Sequence, residues 1–229
     1  MSVALILGAG SRVGSSVASK LVANGYKVAL GSRSGGTEKP EENTIGVKVD
    51  VAKPDEVAAA FVTAEKELGA PVNVVVFNTA GFSPLPVPGE PFSKPYDRFL
   101  QEITVGALGA YAALHETIKS FKRVSEDKPK VFIATSNLLG VIPPVTNYFT
   151  LGNEKHNLAY YVQAGNTAHA DQGFRFYLAA QVSPSGGIPP GAKIDGEAHA
   201  TAYWNLINRK ERGGWDIRFI QDGSILVEN

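Results

Sequence analysis

The sequence has no cysteine, a single methionine and no surplus of charge, with 22 Lys+Arg against 22 Asp+Glu in 229 residues. Without cysteine there can be no disulfide, no thiolate metal site and no cysteine nucleophile. A formal net charge of +0 argues against a general binder of nucleic acid or of anionic membranes, since such partners select a basic excess. Long hydrophobic runs are also missing. The longest, such as Val3–Leu7 and Val74–Phe77, are strand-sized and far short of the ~20 residues a membrane-spanning helix needs. The N-terminus turns apolar at once but lacks a basic region and leads straight into Gly8-Ala9-Gly10. It reads as a first buried strand rather than a signal peptide, and a cytoplasmic protein is the default expectation.

Against these absences stand 24 glycines, 44% hydrophobic residues and a regular alternation of apolar patterns. Val3–Leu7 is a continuous apolar run closed by glycine, as for a strand buried on both faces. Val13, Val17 and Leu21 recur every four residues and mark a helix that Asn24-Gly25 stops. Lys27–Leu30 and Ile45–Val49 read as strands, Val57–Leu68 as a helix and Val72–Phe77 as a fourth strand. Phe99 to Phe121 traces one long helix, Val131–Ala134 a strand, and Leu151–Asp171 another helix. Gly173–Ala179, Ala198–Asn208 and Trp215–Ile220 then read as strand, helix and strand. Such alternation implies an α/β protein, a doubly wound parallel sheet of about seven strands with helices on both faces. Residues 1–229 show no internal repeat and no linker, so they are expected to form one domain. Right-handed crossovers put the strand-to-helix loops at one edge of the sheet, where such folds bind ligands. Two proline-rich stretches, 82–95 and a lid-like segment 182–199, fall at that edge and read as a substrate wall and lid or as stiffened connections.

Gly8-Ala9-Gly10-Ser11-Arg12-Val13-Gly14 joins the first strand to the first helix. Glycines there allow a tight turn and let the backbone approach a pyrophosphate, which the free N–H groups of the helix bind. The second strand ends Gly31-Ser32-Arg33. An acidic residue at that place would favour NAD(H), whereas an arginine accommodates a 2′-phosphate. Arg33, with Ser32 and Arg12, therefore points to NADP(H), with NAD(H) second. Asp50 and Val51, after the third strand, are placed to bracket the adenine or to begin the next helix.

Taken with Asn78-Thr79-Ala80-Gly81 after the fourth strand, these motifs resemble the short-chain dehydrogenase/reductase family. The likeness runs over nearly the whole chain. Gly173-Phe174-Arg175-Phe176-Tyr177, Ile194–His199 and the Trp215 region are similar to a group of atypical, mainly fungal members. The resemblance implies a three-layer Rossmann fold, NADP(H), hydride transfer to a carbonyl, a small-molecule substrate, and homodimers or homotetramers. It assigns Asn78, Ala80 and Gly81 to the cofactor side.

The family's chemistry uses a Tyr acid/base, a Lys four residues later, an upstream Ser and an Asn on the preceding long helix. Lys155 fits the lysine, but Leu151 stands four residues before it and cannot transfer a proton. Asn137 falls at the place of the Ser, with Ser136 beside it, and Gly106 at the place of the Asn. Arg12 stands where the loop usually has glycine, and Ala180-Gln181 replaces a Pro-Gly. Tyr148, seven residues before Lys155, is the best relocated proton donor, unless it is an aromatic packing residue. Of Tyr160 and Tyr161, one is expected to pack and one to point outward. Among the histidines, His115 is expected to pack, His169 to lie on the surface, His156 to point away from Lys155, and His199 to be a lesser candidate facing substrate. The expected activity is NADP(H)-dependent reduction of a carbonyl or imine, with Ser136 or Asn137 polarising the acceptor and Lys155 holding the ribose. The alternatives are an NADP(H)-binding sensor or scaffold and a repurposed non-redox catalyst.

Overall fold

The structure is a computed structural model, and it describes residues 1–36 and 42–229. An eight-stranded sheet forms its centre, with strand order β3-β2-β1-β4-β5-β6-β7-β8. The strands are β1 (Ser2–Leu7), β2 (Tyr26–Ser32), β3 (Thr44–Lys48), β4 (Val74–Phe77), β5 (Lys130–Ser136), β6 (Phe174–Gln181), β7 (Asp216–Phe219) and β8 (Ile225–Glu228). The helices are α1 (Val13–Ala23), α2 (Pro54–Leu68), α3 (Tyr96–Ile103), α4 (Gly109–Phe121), α5 (Phe149–Ala168) and α6 (Gly196–Ile207). The doubly wound parallel sheet is as expected, except that the strand count is eight. The extra strand, β8, pairs antiparallel to β7. Its sequence, Ile225-Leu226-Val227-Glu228, is too short and too near the end to stand out, and its partner decides its conformation.

Period-two alternation sends successive side chains of each central strand into opposite layers. Val3, Leu5 and Leu7 of β1 join Val75 and Phe77 of β4 and Phe132 and Ala134 of β5 on one face. α2, α4 and α5 cover that face with Val57, Phe61, Leu68, Ala110, Ala113, Leu158 and Val162. Ala4, Ile6, Val74, Val76, Val131 and Ile133 point the other way, under Val13, Val17 and Leu21 of α1 and Ala202, Tyr203 and Leu206 of α6. Both faces are covered, which is why these strands read as unbroken apolar runs.

The long helix expected from Phe99 to Phe121 is interrupted. A π-helical turn at Thr104–Leu108 separates α3 from α4. Apolar spacing alone does not reveal such an extra residue, because the pattern resumes on the same face after it. Turns of this kind recur at functional sites, and Gly106 lies in the middle of this one.

Asn73 ties the sheet together beneath β4. Buried, its side-chain oxygen accepts from Val3 N–H at 2.7 Å and its amide donates to the Pro129 carbonyl at 3.0 Å. It thereby joins the starts of β1, β4 and β5. Asn73→Ala leaves the buried Val3 N–H unpaired and frees the part-buried Pro129 carbonyl, and is expected to cost about 1–3 kcal/mol for the unsatisfied donor, read as a lower denaturant midpoint in equilibrium unfolding.

Candidate functional site

The strand order reverses between β1 and β4, and there the carboxyl ends of β1, β2 and β4 open into a cleft of about 670 Å³. Gly8, Gly10, Ser32, Arg33, Asp50, Val51, Asn78, Ala80 and Gly81 all line it, so the structure brings most of the expected nucleotide-binding residues together. Thr79, Phe82, Ser83, Arg98, Gln101 and Glu102 complete its far end. Ser11 and Arg12 are exposed at the start of α1, while Val13 and Gly14 are buried in its first turn. None of these four is among the residues lining the cleft; the first N–H groups of α1 have no partner within the helix.

The floor of the cleft is held by short backbone contacts. Gly8 has φ +92°, and a Cβ there would stand 2.5 Å from the Asn78 carbonyl oxygen. Asn78 in turn donates from Nδ2 to the Gly8 carbonyl at 2.9 Å. Asp50 accepts from Ala52 N–H at 3.1 Å and its own N–H donates to Glu56 at 2.8 Å, so it shapes the turn into α2 while facing the cleft. The buried Thr79 hydroxyl has no hydrogen-bond partner among the described residues. Thr79 itself lies on the cleft wall.

The other expected residues lie around the far end. Lys155 is buried on α5 and donates to the Thr135 carbonyl at 2.9 Å. Leu151 is one turn before it. Ser136 donates to the Asn137 carbonyl, and the Asn137 side chain accepts from Leu139 N–H at 3.0 Å, capping a short turn. Tyr148 precedes α5, 46% exposed, with its ring 5.6 Å from that of Phe82. It lines a separate, mainly apolar hollow of about 180 Å³ with Leu139, Pro144, Phe149 and His156. Phe82, on the cleft wall, bridges the two cavities. Segment 182–199 returns over the start of α1, where Gly196 packs on the Arg12 carbonyl and the Ser16 side chain.

Several histidine readings are corrected. His199 is buried, not directed at substrate: Nδ1 lies 2.6 Å from the Asp195 carbonyl and its ring packs on Tyr203 and Phe219. Burial lowers its pKa, which keeps the neutral ring in the core. His115 is exposed, and His169 is half-buried, stacked on Phe174. His156 is exposed and turned back on its own helix, with Nδ1 2.9 Å from the Gly152 carbonyl. Tyr160 is exposed, and Tyr161 packs edge-on against Tyr111, as expected.

Two charged pairs were not anticipated. Lys94 donates to Glu102 at 2.6 Å with both side chains nearly buried, and Ser83 also donates to Glu102. Burial would raise the Glu102 carboxyl, but Lys94 and Ser83 outweigh it and hold it below its ordinary value. Behind Gly81 lies Glu154, fully buried, with both carboxylate oxygens 3.2 Å from the Gly81 N–H. Burial pushes Glu154 up to about 7, against the pull of Lys155. The same burial pushes Lys155 down to about 8, opposed by Glu154. A signal for this pair existed: Glu154 and Lys155 stand four and three residues before buried Leu158, on the inward stripe of α5.

A family model for short chain dehydrogenase matches residues 2–143. The chain belongs to the short-chain dehydrogenase family. It is 31% identical over 229 residues to the short chain dehydrogenase/reductase dmxR12 of Cryptosporiopsis sp. (strain 8999), covering 96% of this chain and 92% of that protein. Among solved structures, the 3-ketoacyl-(acyl-carrier-protein) reductase from Brucella melitensis complexed with NADH superposes with a TM-score of 0.79 at 20% identity, covering 95% of this chain and 96% of that one. ElxO with NADP bound superposes with a TM-score of 0.77 at 20% identity over 97% and 98% of the two chains. These two likenesses establish the shared fold of this short-chain dehydrogenase. No helix among its described residues is long and apolar enough to cross a membrane.

Gly8→Ala tests the cleft floor. Both the positive φ and the clash with Asn78 oppose a side chain, so a loss on the order of 1–3 kcal/mol is expected. Thermal denaturation reads that loss, and the displaced Asn78 should weaken nucleotide binding in parallel.

Proposed function

We propose that this short-chain dehydrogenase binds NADP(H) in the β1/β2/β4 cleft and reduces a carbonyl or imine of a small organic substrate. The observation that carries the reading is the cleft itself, which runs from Arg33 at the end of β2, past the Gly8–Gly10 turn, to Gly81 and Phe82 beyond β4. The residues present fit a dinucleotide: a glycine turn opening a helix, close backbone approach at Gly8, and a cationic side chain at one end. The bound relatives, one carrying NADH and one NADP, support a nicotinamide cofactor in general terms.

In this reading the Gly8–Gly14 backbone, with Ser11, Arg12 and Val13, cradles the pyrophosphate. Ser32 and Arg33 hold the 2′-phosphate, Asp50 and Val51 flank the adenine, and Asn78, Ala80 and Gly81 border the nicotinamide half. The reduced nicotinamide supplies hydride. Lys155 holds the ribose, Ser136 or Asn137 polarises the acceptor, and Tyr148 or a bound water delivers the proton. The apolar hollow beside Tyr148 suits the body of the substrate, with 82–95 and 182–199 as wall and lid. We place the protein in the cytoplasm as a homodimer or homotetramer. A second reading, nucleotide binding as a sensor, scaffold or non-redox catalyst, is favoured by Leu151, an aliphatic side chain one turn before Lys155.

Fluorescence titration should show tighter binding of NADPH than of NADH; binding of neither overturns both readings. Arg33→Asp should move the preference towards NADH by about tenfold or more, the worth of a charged hydrogen bond. An unchanged ratio removes Arg33 from the 2′-phosphate.

Leu151→Tyr should create or raise carbonyl reductase activity towards a panel of simple carbonyls, since a placed proton donor is worth about 10²–10⁴-fold. Tyr148→Phe should lower turnover with NADPH affinity near normal if Tyr148 is the donor. A wild-type protein that binds NADPH yet never oxidises it with any carbonyl supports the second reading.

A further inference from the structure

Gly106 and Glu154 are complementary in shape. A Cβ on Gly106 would overlap the Glu154 carboxylate, which fills the room that a side chain at this position of the π turn would take. The same carboxylate accepts the N–H of Gly81, a residue of the cleft wall. It is therefore one hydrogen bond away from the nicotinamide end of the proposed site, and next in sequence to Lys155. We propose that Glu154 is a positioning residue that, in the place left by Gly106, holds or releases a proton in partnership with Lys155 and so sets the charge behind the nicotinamide. The proposal rests on the cofactor reading above.

Among the described residues, charged groups act on Glu154 from α5, from α3 and from the segment ahead of α3. Lys155 on α5 and Lys94 ahead of α3 favour its anion, as does the Gly81 amide; Glu102 on α3 disfavours it. Burial is the largest influence and disfavours the anion most. With the carboxyl poised near 7 and the lysine near 8, the pair loses its protons successively between about pH 6 and 9. Its net charge passes from positive through zero to negative. Below that range Glu154 is a neutral acid and Lys155 an ammonium, so the pair carries one positive charge; within it the carboxylate and the ammonium cancel. The oxidised nicotinamide ring is cationic and the reduced ring neutral, so the anionic pair discriminates in favour of the oxidised form. By linkage, the oxidised nucleotide must then lower the Glu154 midpoint, whereas the reduced one leaves it in place.

The test is a carboxyl titration by ¹³C NMR of protein labelled at glutamate, with the Glu154 signal assigned by its loss in Glu154→Gln. Glutamine preserves the volume and the acceptor for Gly81. The expected midpoint in the free protein is near 7. Lys155→Met should raise it further, and NADP⁺ should lower it by about one pH unit while NADPH leaves it in place. An ordinary midpoint near 4.5, or equal displacement by both nucleotides, overturns this proposal alone. Binding of neither nucleotide overturns the cofactor reading and with it the nicotinamide part of the proposal. The spatial exchange has its own readout. Gly106→Ala should lower the melting temperature, and Glu154→Ser in the same chain should remove most of that loss. If the two losses simply add, Glu154 does not occupy the place of the Gly106 side chain.

Discussion

Covering both faces of the sheet is the constraint from which the rest of this structure follows. A strand such as Val3–Leu7 has no face left for water, so its backbone groups can be satisfied only by neighbouring strands and its side chains only by two helical layers. Parallel neighbours then need crossovers, and right-handed crossovers deliver the loops after β1, β2, β3 and β4 to one edge. The cleft is the result of that geometry. It opens where consecutive crossovers leave on opposite sides of the sheet, between β1 and β4, and the Asn78–Gly8 contact sets how closely its walls approach.

Within this frame the far end of the cleft concentrates an unusual amount of buried charge. Removing a charge from water costs several kcal/mol unless it is paired and hydrogen-bonded. Lys94 and Glu102 meet that condition directly, with Ser83 completing the carboxylate. Glu154 and Lys155 meet it less fully, and both respond by moving towards their neutral forms. The first pair acts as a fixed brace between loop 82–95 and α3. The second has the properties of a group whose charge answers to conditions, and groups of that kind gather at functional sites more often than elsewhere.

Gly106, Asn137 and Leu151, the positions singled out by the resemblance, all lie on or against α5. Gly106 leaves a space on the π turn, and Glu154 fills it from the neighbouring helix. The Asn137 side chain, bonded to Leu139 N–H, shapes the entry to the hollow that Tyr148 lines. Leu151 adds an apolar side chain at the turn before Lys155. The buried polar groups at this end of the cleft thus come from α5 and α3 in combination.

The lining of the cleft was legible in the residue order because its signals are local. Gly8 to Gly14, Arg33, Asp50 and Asn78 each follow a strand whose apolar run is plain, and the position of a residue after a strand is enough to put it at the sheet edge. Their convergence needed nothing more than the crossover rule. Three things depended on contacts distant in the chain. β8 exists because β7 offers an open edge, the helix from Phe99 breaks at Thr104–Leu108, and His199 turns into the core on Tyr203 and Phe219. The Glu154–Lys155 pair combines both kinds of information. Its place on the inward stripe of α5 could be counted back from Leu158, but the room for its carboxylate is created by Gly106, 48 residues earlier in the sequence numbering. Periodicity along a helix reports which way a side chain faces. Only the packed structure reports whether another element has left space for it, because that space belongs to two segments at once.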